Sequence, residues 1–133
     1  MKQKALLVED NENNRYLLTL LLEQADFAVA AAADGRRGLE MARLEIPDVI
    51  LLDIQMPEMD GYEVAARLRN DPELMHIPIV GVSSFAMPGD REKAIRAGFA
   101  GYIEKPIDPE QFAGTVLALM ERARRRNANS QRG

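Results

Sequence analysis

The chain has 133 residues, of which 47% are hydrophobic, and a formal net charge of −4 at pH 7. This length is typical of one domain with one hydrophobic core. The absence of cysteine excludes disulfides, thiolate metal ligands and a cysteine nucleophile. No apolar run approaches the roughly 20 residues of a membrane span, and no signal-peptide pattern opens the chain, so we expect a cytoplasmic protein without membrane insertion.

The charge is unevenly distributed along the chain. Residues 121–133 contain five arginines and one glutamate, a balance of +4, which leaves −8 for residues 1–120. An acidic body argues against direct binding of nucleic acid. We expect the arginines to stabilise the end of a helix and to keep it soluble, rather than to form a phosphate-binding patch.

The first apolar run covers residues 5–8 and ends on an acidic pair, Glu9 and Asp10. Asn11 is a candidate N-cap for the helix that follows, which carries leucines at helical spacing. A weaker, alanine-rich strand is predicted at residues 27–32. It leads into a second helix, and Asp34 is assigned to capping that helix.

The third apolar run, residues 49–52, ends directly on Asp53. A short apolar run bounded by turn residues predicts a strand that is buried on both faces. After a loop, Asp60 and Glu63 form a capping box for a third helix. Asp53 is therefore expected at the carboxyl end of a buried strand, where open α/β sheets place their ligand sites.

The last two predicted strands also end on polar side chains. Residues 79–82 precede Ser83, and a short strand around Tyr102 precedes Lys105. Pro88 predicts the first turn of the helix between these strands. A final helix, opened by another capping box, completes the pattern.

Five strands that alternate with five helices predict an α/β fold. We expect a single flavodoxin-like (βα)5 doubly wound domain, with a parallel five-stranded sheet in the order 2-1-3-4-5. This domain is predicted to cover residues 1–126. Residues 127–133 are polar and are expected to form a disordered tail.

In this strand order the carboxyl ends of strands 1, 3, 4 and 5 are neighbours. They bring together five polar residues: Glu9, Asp10, Asp53, Ser83 and Lys105. Three nearby carboxylates repel one another without a cation, and Mg²⁺ (or Mn²⁺) prefers carboxylate and water oxygens. The lysine ammonium and the serine hydroxyl can bind the oxygens of a phosphoryl group. The rim therefore predicts a metal-dependent site at which Asp53 accepts a phosphoryl group.

Four motifs accompany this pattern: LVEDN at residues 7–11, LDIQMPEMDG at 52–61, VSS at 82–84 and GYIEKP at 101–106. With these motifs the chain resembles the receiver domain of two-component response regulators, from Lys4 to about Arg122. Within that family it is most similar to single-domain regulators of the cell-division type and to the receivers of hybrid kinases.

The resemblance implies a role for each matching residue at the acidic end. Asp53 is expected to be the phosphoacceptor, and Lys105 is expected to contact the phosphoryl group. Glu9 and Asp10 are expected to bind the metal ion. Asp53 itself and the backbone carbonyl of Gln55 complete the expected metal ligands.

The resemblance also implies a switch. Ser83 matches a hydroxyl that moves to the phosphoryl group, although threonine is more usual there, and Tyr102 matches an aromatic that swings inward. The Lys105–Pro106 peptide bond is expected to be cis. Gln55 and Phe85 flank the path of a hydrolytic water, so we expect the bulky Phe85 to slow hydrolysis of the phosphoryl group.

The expected function is that of a single-domain response regulator. A histidine kinase or phosphotransfer protein would dock near the first helix, and phosphorylation would repack the face formed by the fourth helix, fifth strand and fifth helix. That face would contact an unidentified downstream protein and could pair two copies of the chain. We expect no enzyme activity beyond self-phosphorylation and dephosphorylation. Too few residues follow the last helix for a DNA-binding module, and Met1 favours a stand-alone protein.

Other functions remain open at this point. The chain could be a phosphorelay intermediate or a receiver cut from a hybrid histidine kinase. A small metal-dependent phosphohydrolase would also use an aspartate nucleophile, but it would need a second acid–base carboxylate where Gln55 stands. A flavodoxin-like cofactor binder would need a phosphate-binding loop after the first strand, where this chain is acidic. His76 lies beside a predicted helix break and is expected to be a loop residue rather than a phosphohistidine.

Overall fold

The computed structural model describes residues 2–84 and 87–132, with side chains as far as residue 129. Strands and helices alternate along the whole of this chain. Their bounds, in chain order, are β1 (Gln3–Val8), α1 (Glu12–Gln24), β2 (Phe27–Ala32), α2 (Gly35–Glu45), β3 (Val49–Asp53), α3 (Gly61–Arg69), β4 (Ile79–Ser83), α4 (Asp90–Arg96), β5 (Gly101–Glu104) and α5 (Pro109–Arg132).

The five strands form one parallel sheet in the order β2-β1-β3-β4-β5. This order confirms the predicted flavodoxin-like fold. In the central strands, Leu52 pairs with Val8 on one side and with Gly81 on the other. The carboxyl ends of β1, β3 and β4 are therefore level, which places the residues that follow them at one rim.

The sheet separates two hydrophobic cores, and β3 contributes to both. All five residues of β3 are buried. Ile50 and Leu52 belong to the core beneath α2, α3 and α4. Val49 and Leu51 belong to the core beneath α1 and α5. This alternation follows from the two-residue period of a strand, and it explains why the run before Asp53 is continuously apolar.

Local capping interactions start three of the helices, as the sequence predicts. The side chains of Asn11, Asp34 and Asp60 each accept a hydrogen bond from the backbone N–H three residues further along. Such a bond satisfies one of the free N–H groups in the first turn of a helix. Asp34 caps α2 beside the edge strand β2, in agreement with its assignment to capping.

Two helix boundaries differ from those predicted. α4 begins at Asp90 rather than near Pro88, because Gly89 adopts a left-handed conformation with φ of 91°. α5 continues through Arg132, beyond the predicted end at residue 126. No proline or second glycine interrupts the helix after Gly114, and the Asn127 side chain donates a 3.4 Å hydrogen bond to the carbonyl of His76.

None of the helices within residues 2–84 and 87–132 combines the length and the apolar character that crossing a membrane requires.

Candidate functional site

The rim at the carboxyl ends of the strands is held together by backbone hydrogen bonds that extend the sheet. The Lys105 N–H donates to the Ser83 carbonyl at 2.8 Å, and the Ile54 N–H donates to the Val82 carbonyl at 3.0 Å. On the other side, the Glu9 N–H donates to the carbonyl of Ala32 at 3.0 Å. The side chains that leave the strand ends therefore start from fixed backbone positions.

Three carboxylates meet at this rim. One oxygen from each of Glu9, Asp10 and Asp53 lies within 4.8 Å of the others. Glu9 and Asp53 are buried, with 1% and 3% of their surface exposed, whereas Asp10 is exposed. A hard divalent cation such as Mg²⁺ binds a few carboxylates and keeps several waters, so this half-open set of oxygens fits such an ion.

One ammonium group partly offsets this negative charge. The Lys105 Nζ lies 2.9 Å from Glu9 Oε1 and 3.7 Å from Asp53 Oδ2. The lysine side chain is largely buried, with 15% of its surface exposed. Among the described residues, no cationic side chain other than Lys105 forms an ion pair with these three carboxylates, so the rim keeps an excess of negative charge.

The excess charge affects the protonation of Asp53. The pKa of Asp53 is raised to about 8, first by burial and then by the hydrogen bond and the negative charge of Glu9. The positive charge of Lys105 and the Gln55 N–H act in the opposite direction. A protonated carboxyl group is a poor nucleophile, so a cation at this cluster would favour the reactive carboxylate form.

Backbone donors fix the orientation of the two buried carboxylates. Glu9 Oε2 accepts a 3.1 Å hydrogen bond from the Asn11 N–H, and Arg15 donates to the Glu9 carbonyl at 2.9 Å. Asp53 Oδ1 accepts a 3.0 Å hydrogen bond from the Gln55 N–H. Asp53 Oδ2 is therefore the oxygen on the lysine side of the site.

Sequence reasoning missed one contact at this rim. Gln55 Nε2 donates to Ser83 Oγ at 2.7 Å, and Gln55 Oε1 accepts from the Ser84 N–H at 3.0 Å. An amide two residues after Asp53 and a pair of serines after β4 were the available signals. The contact of Gln55 with these serines depends on the distance between the loop after β3 and the carboxyl end of β4, which the sequence alone does not give. Phe85, with its predicted role in phosphoryl lifetime, lies outside the described residues.

Tyr102 lies on β5 near Ser83, as predicted. Its ring is half-buried, and the Arg91 guanidinium lies 5.4 Å from the ring centroid. Tyr102, Ser83 and Gln55 line the same cavity of about 280 Å³. The Lys105–Pro106 peptide bond is cis, as the resemblance implied. His76 lies in the loop between α3 and β4, away from this rim.

Two curated relatives are similar over nearly the whole chain. The chain is 41% identical over 120 residues to the polar-differentiation response regulator DivK of Brucella anthropi. The aligned region covers 90% of this chain and 98% of that protein. DivK of Brucella ovis gives the same identity and coverage.

Solved structures show the same architecture. Chemotaxis protein CheY4 of Vibrio cholerae superposes with a TM-score of 0.85 at 29% identity, covering 90% of this chain and 99% of that one. The receiver domain of the sensor histidine kinase PA1611 from Pseudomonas aeruginosa gives a TM-score of 0.82 at 29% identity, covering 91% of this chain and 99% of that one. That receiver holds a magnesium ion in its active-site cleft.

A family model described as the response regulator receiver domain matches residues 5–117, from β1 into α5. The match includes four complete strands, most of β1 and every carboxylate of the acidic rim. The chain therefore belongs to the response regulator receiver domain family.

Proposed function

We propose that Asp53 accepts a phosphoryl group from a phosphohistidine on a histidine kinase or phosphotransfer protein. The observation that carries this proposal is the cluster of Glu9, Asp10 and Asp53, with the Lys105 ammonium between two of the carboxylates. Mg²⁺ (or Mn²⁺) would be held by the three carboxylates and by the backbone carbonyl of Gln55. When bound, the ion reduces the repulsion between the anionic donor and the carboxylates.

The orientation of Asp53 supports Oδ2 as the nucleophile. Oδ1 is held by the Gln55 N–H, whereas Oδ2 faces Lys105 at 3.7 Å. In the transfer, Oδ2 forms a bond to phosphorus as the phosphorus–nitrogen bond of the donor breaks. The donor ring, which carries a proton on its other nitrogen, keeps the electron pair of the broken bond and leaves as a neutral histidine, and Asp53 becomes an acyl phosphate. Lys105 then exchanges part of its contact with Glu9 for a contact with a phosphoryl oxygen.

The neighbouring residues support a switch that responds to this new charge. The Ser83 hydroxyl would donate to a phosphoryl oxygen, and Tyr102 would move inward within the cavity that both residues line. The face formed by α4, β5 and α5 would then repack and contact a downstream protein, or a second copy of the chain. A further transfer of the phosphoryl group to another histidine would make the protein a relay intermediate by the same chemistry.

The surface of α1 supports docking of the phosphodonor beside the acidic rim. Three large apolar side chains of this helix are exposed: Tyr16 (72%), Leu17 (37%) and Leu20 (41%). Exposed apolar patches on a small domain often mark sites of protein contact. Because α1 starts three residues after Glu9, a partner bound to this patch would lie near Asp53. The proposal places the protein in the cytoplasm, where ATP-dependent kinases act.

The proposal is tested with a small phosphodonor. Incubation with acetyl phosphate and Mg²⁺ should add one phosphoryl group, detected by intact-protein mass spectrometry, and EDTA should prevent the addition. Asp53→Asn should abolish it. Asp26→Asn is a matched control, because Asp26 is exposed and has a φ of 71°, which asparagine tolerates. Phosphorylation that persists in Asp53→Asn would refute the assignment of the acceptor.

A further inference from the structure

Gln55 connects the acceptor to the loop that follows β4. Its backbone N–H donates to Asp53 Oδ1 at 3.0 Å. Its side chain binds the last residue of β4 and the residue after it, through Nε2 to Ser83 Oγ at 2.7 Å and through Oε1 to the Ser84 N–H at 3.0 Å. One residue therefore contacts both the group expected to be modified and the group expected to move.

The direction of these hydrogen bonds is fixed by the Ser84 N–H. A backbone N–H can only donate, so the amide oxygen of Gln55 must face it. The amide nitrogen of Gln55 then faces Ser83 and donates, so the hydroxyl oxygen of Ser83 accepts. The rigid, planar amide satisfies both contacts only while the two serines keep their present positions.

We propose that Gln55 is a positioning residue that holds Ser83 and Ser84 in the resting arrangement and releases them when Asp53 is phosphorylated. This inference rests on the proposed function. Gln55 acts here through Ser83 and Ser84, in addition to any effect on the path of a hydrolytic water.

The chemistry of the acceptor explains the release. Formation of the acyl phosphate converts the Asp53 carboxylate into a mixed anhydride, whose carbonyl oxygen is a weaker acceptor for the Gln55 N–H than a charged oxygen. The new phosphoryl oxygens are strong acceptors for the Ser83 hydroxyl. The first change weakens the hydrogen bond from the Gln55 N–H to Asp53. The second change draws the Ser83 hydroxyl away from Gln55 Nε2 and toward the phosphoryl group.

The test compares Gln55→Met with the unmodified protein. Methionine keeps the length of the side chain and the backbone N–H, but it removes both side-chain hydrogen bonds. In Gln55→Met without a phosphoryl group or analogue, the backbone amide NMR signal of Ser84 should shift. It should lie part of the way toward its position in the unmodified protein with bound beryllofluoride. With Mg²⁺ and fluoride, the beryllium concentration for half-saturation by beryllofluoride should fall roughly threefold to tenfold, as expected from the loss of two partly exposed hydrogen bonds.

Gln24→Met is the matched control, because Gln24 is an exposed glutamine at the far end of α1. It should leave the Ser84 signal and the half-saturation unchanged. The melting temperatures of both variants should stay within a few degrees of that of the unmodified protein. This result would separate release of Ser83 and Ser84 from loss of the fold. The inference would be overturned if the unmodified protein binds beryllofluoride and Gln55→Met needs the same or a higher beryllium concentration for half-saturation. If the unmodified protein does not bind it, the proposed function fails as well.

Discussion

Asp53 shares the Lys105 ammonium with Glu9, beside the exposed carboxylate of Asp10 at the rim of the sheet. Its raised pKa reflects burial first and the adjacent glutamate second. The residues that would bind a cation therefore destabilise one another in its absence. Two consequences can be measured on single residues.

The first consequence concerns pH. The pKa of Asp53 is about 8 in the folded protein, against 3.8 for an ordinary aspartate. The folded state thus binds more protons than the unfolded state between these values, so the free energy of unfolding of the metal-free protein should fall as pH rises from about 4 to 8. In thermal unfolding with EDTA, Asp53→Asn should lack this decrease and should melt a few degrees higher than the unmodified protein at pH 8.

Asp26→Asn should follow the pH profile of the unmodified protein in the same measurement. Parallel profiles for Asp53→Asn and the unmodified protein would contradict the assignment of the raised pKa to Asp53.

The second consequence concerns Lys105. Lys105→Met removes an ammonium close to both Glu9 and Asp53, and a buried charge left without its partner costs on the order of 3 kcal/mol. Urea unfolding in EDTA should show this loss. Titration with Mg²⁺ should instead show tighter binding, by several-fold, because Glu9 is released from its ion pair and a competing positive charge is gone. Weaker Mg²⁺ binding would indicate that Lys105 orders the carboxylates rather than competing with the ion.

At the scale of secondary-structure elements, α4 is the least anchored helix among those described. It has seven residues, its N-cap Gly89 makes no side-chain capping bond, and Ala94 is its one buried residue. Two cation–π contacts hold it to its neighbours: Arg91 over Tyr102 at 5.4 Å, and Lys93 over Tyr62 at 4.4 Å. A helix with so little buried surface should open locally at low cost.

Hydrogen exchange tests this expectation. The amides of α4 should exchange before those of the other described helices, and the amides of β3 should be among the last. Arg91→Ala should speed exchange in α4 by roughly twofold to fivefold, the effect of losing one exposed cation–π contact. Arg96→Ala, a change of another exposed arginine in the same helix, should have a smaller effect. Equal effects of both variants would show that the contact with Tyr102 does not anchor the helix.

The elements differ in how well the sequence predicts them, and the reason is the range of the interactions involved. The caps at Asn11, Asp34 and Asp60 depend on bonds within three residues, and all three form as expected. The order of the strands follows from alternating apolar runs and right-handed connections. The start of α4 depends on the left-handed Gly89, whereas the rule that places proline in a first turn favoured Pro88.

In the candidate site, too, the sequence predicts the features that depend on local patterns and misses a contact between distant residues. The sequence places Asp10, Asp53, Ser83 and Lys105 after strand ends, and the sheet order then brings them to one rim. The contact between Gln55 and the serines joins the loop after β3 to the end of β4, across 28 and 29 positions of sequence, so no local pattern contains it. The roles assigned to these residues in phosphoryl transfer stay predictions.

At the scale of the whole molecule, one sheet packs against a hydrophobic core on each of its faces. β4 lies beside the central strand, and its Gly81 faces the ring of Phe99 and the side chain of Ile54. A Cβ atom at Gly81 would lie 2.8 Å from the Phe99 ring and 2.9 Å from Ile54 Cδ1. Phe99 and Ile54, which lie in the loops after α4 and β3, are therefore packed as closely onto β4 as a glycine allows.

Two glycine substitutions test this packing. Gly81→Ala should lower the free energy of unfolding by about 1–3 kcal/mol, because the new methyl group overpacks the core. Gly114→Ala is the matched change on α5, where a Cβ atom would meet no other atom within 4 Å, and it should raise stability by up to about 1 kcal/mol. Denaturant unfolding followed by circular dichroism measures both. Equal effects of the same sign would contradict the close contact at Gly81.

The ion pair between Glu9 and Lys105 joins residues 96 positions apart, one after the first strand and one after the last. During synthesis, a chain that has emerged only as far as β4 has its three rim carboxylates but lacks this lysine. Such a chain cannot form the ion pair that joins Glu9 to Lys105. The arrangement of charges at the rim is therefore complete only when the polypeptide has been made past β5 and the sheet holds all five strands.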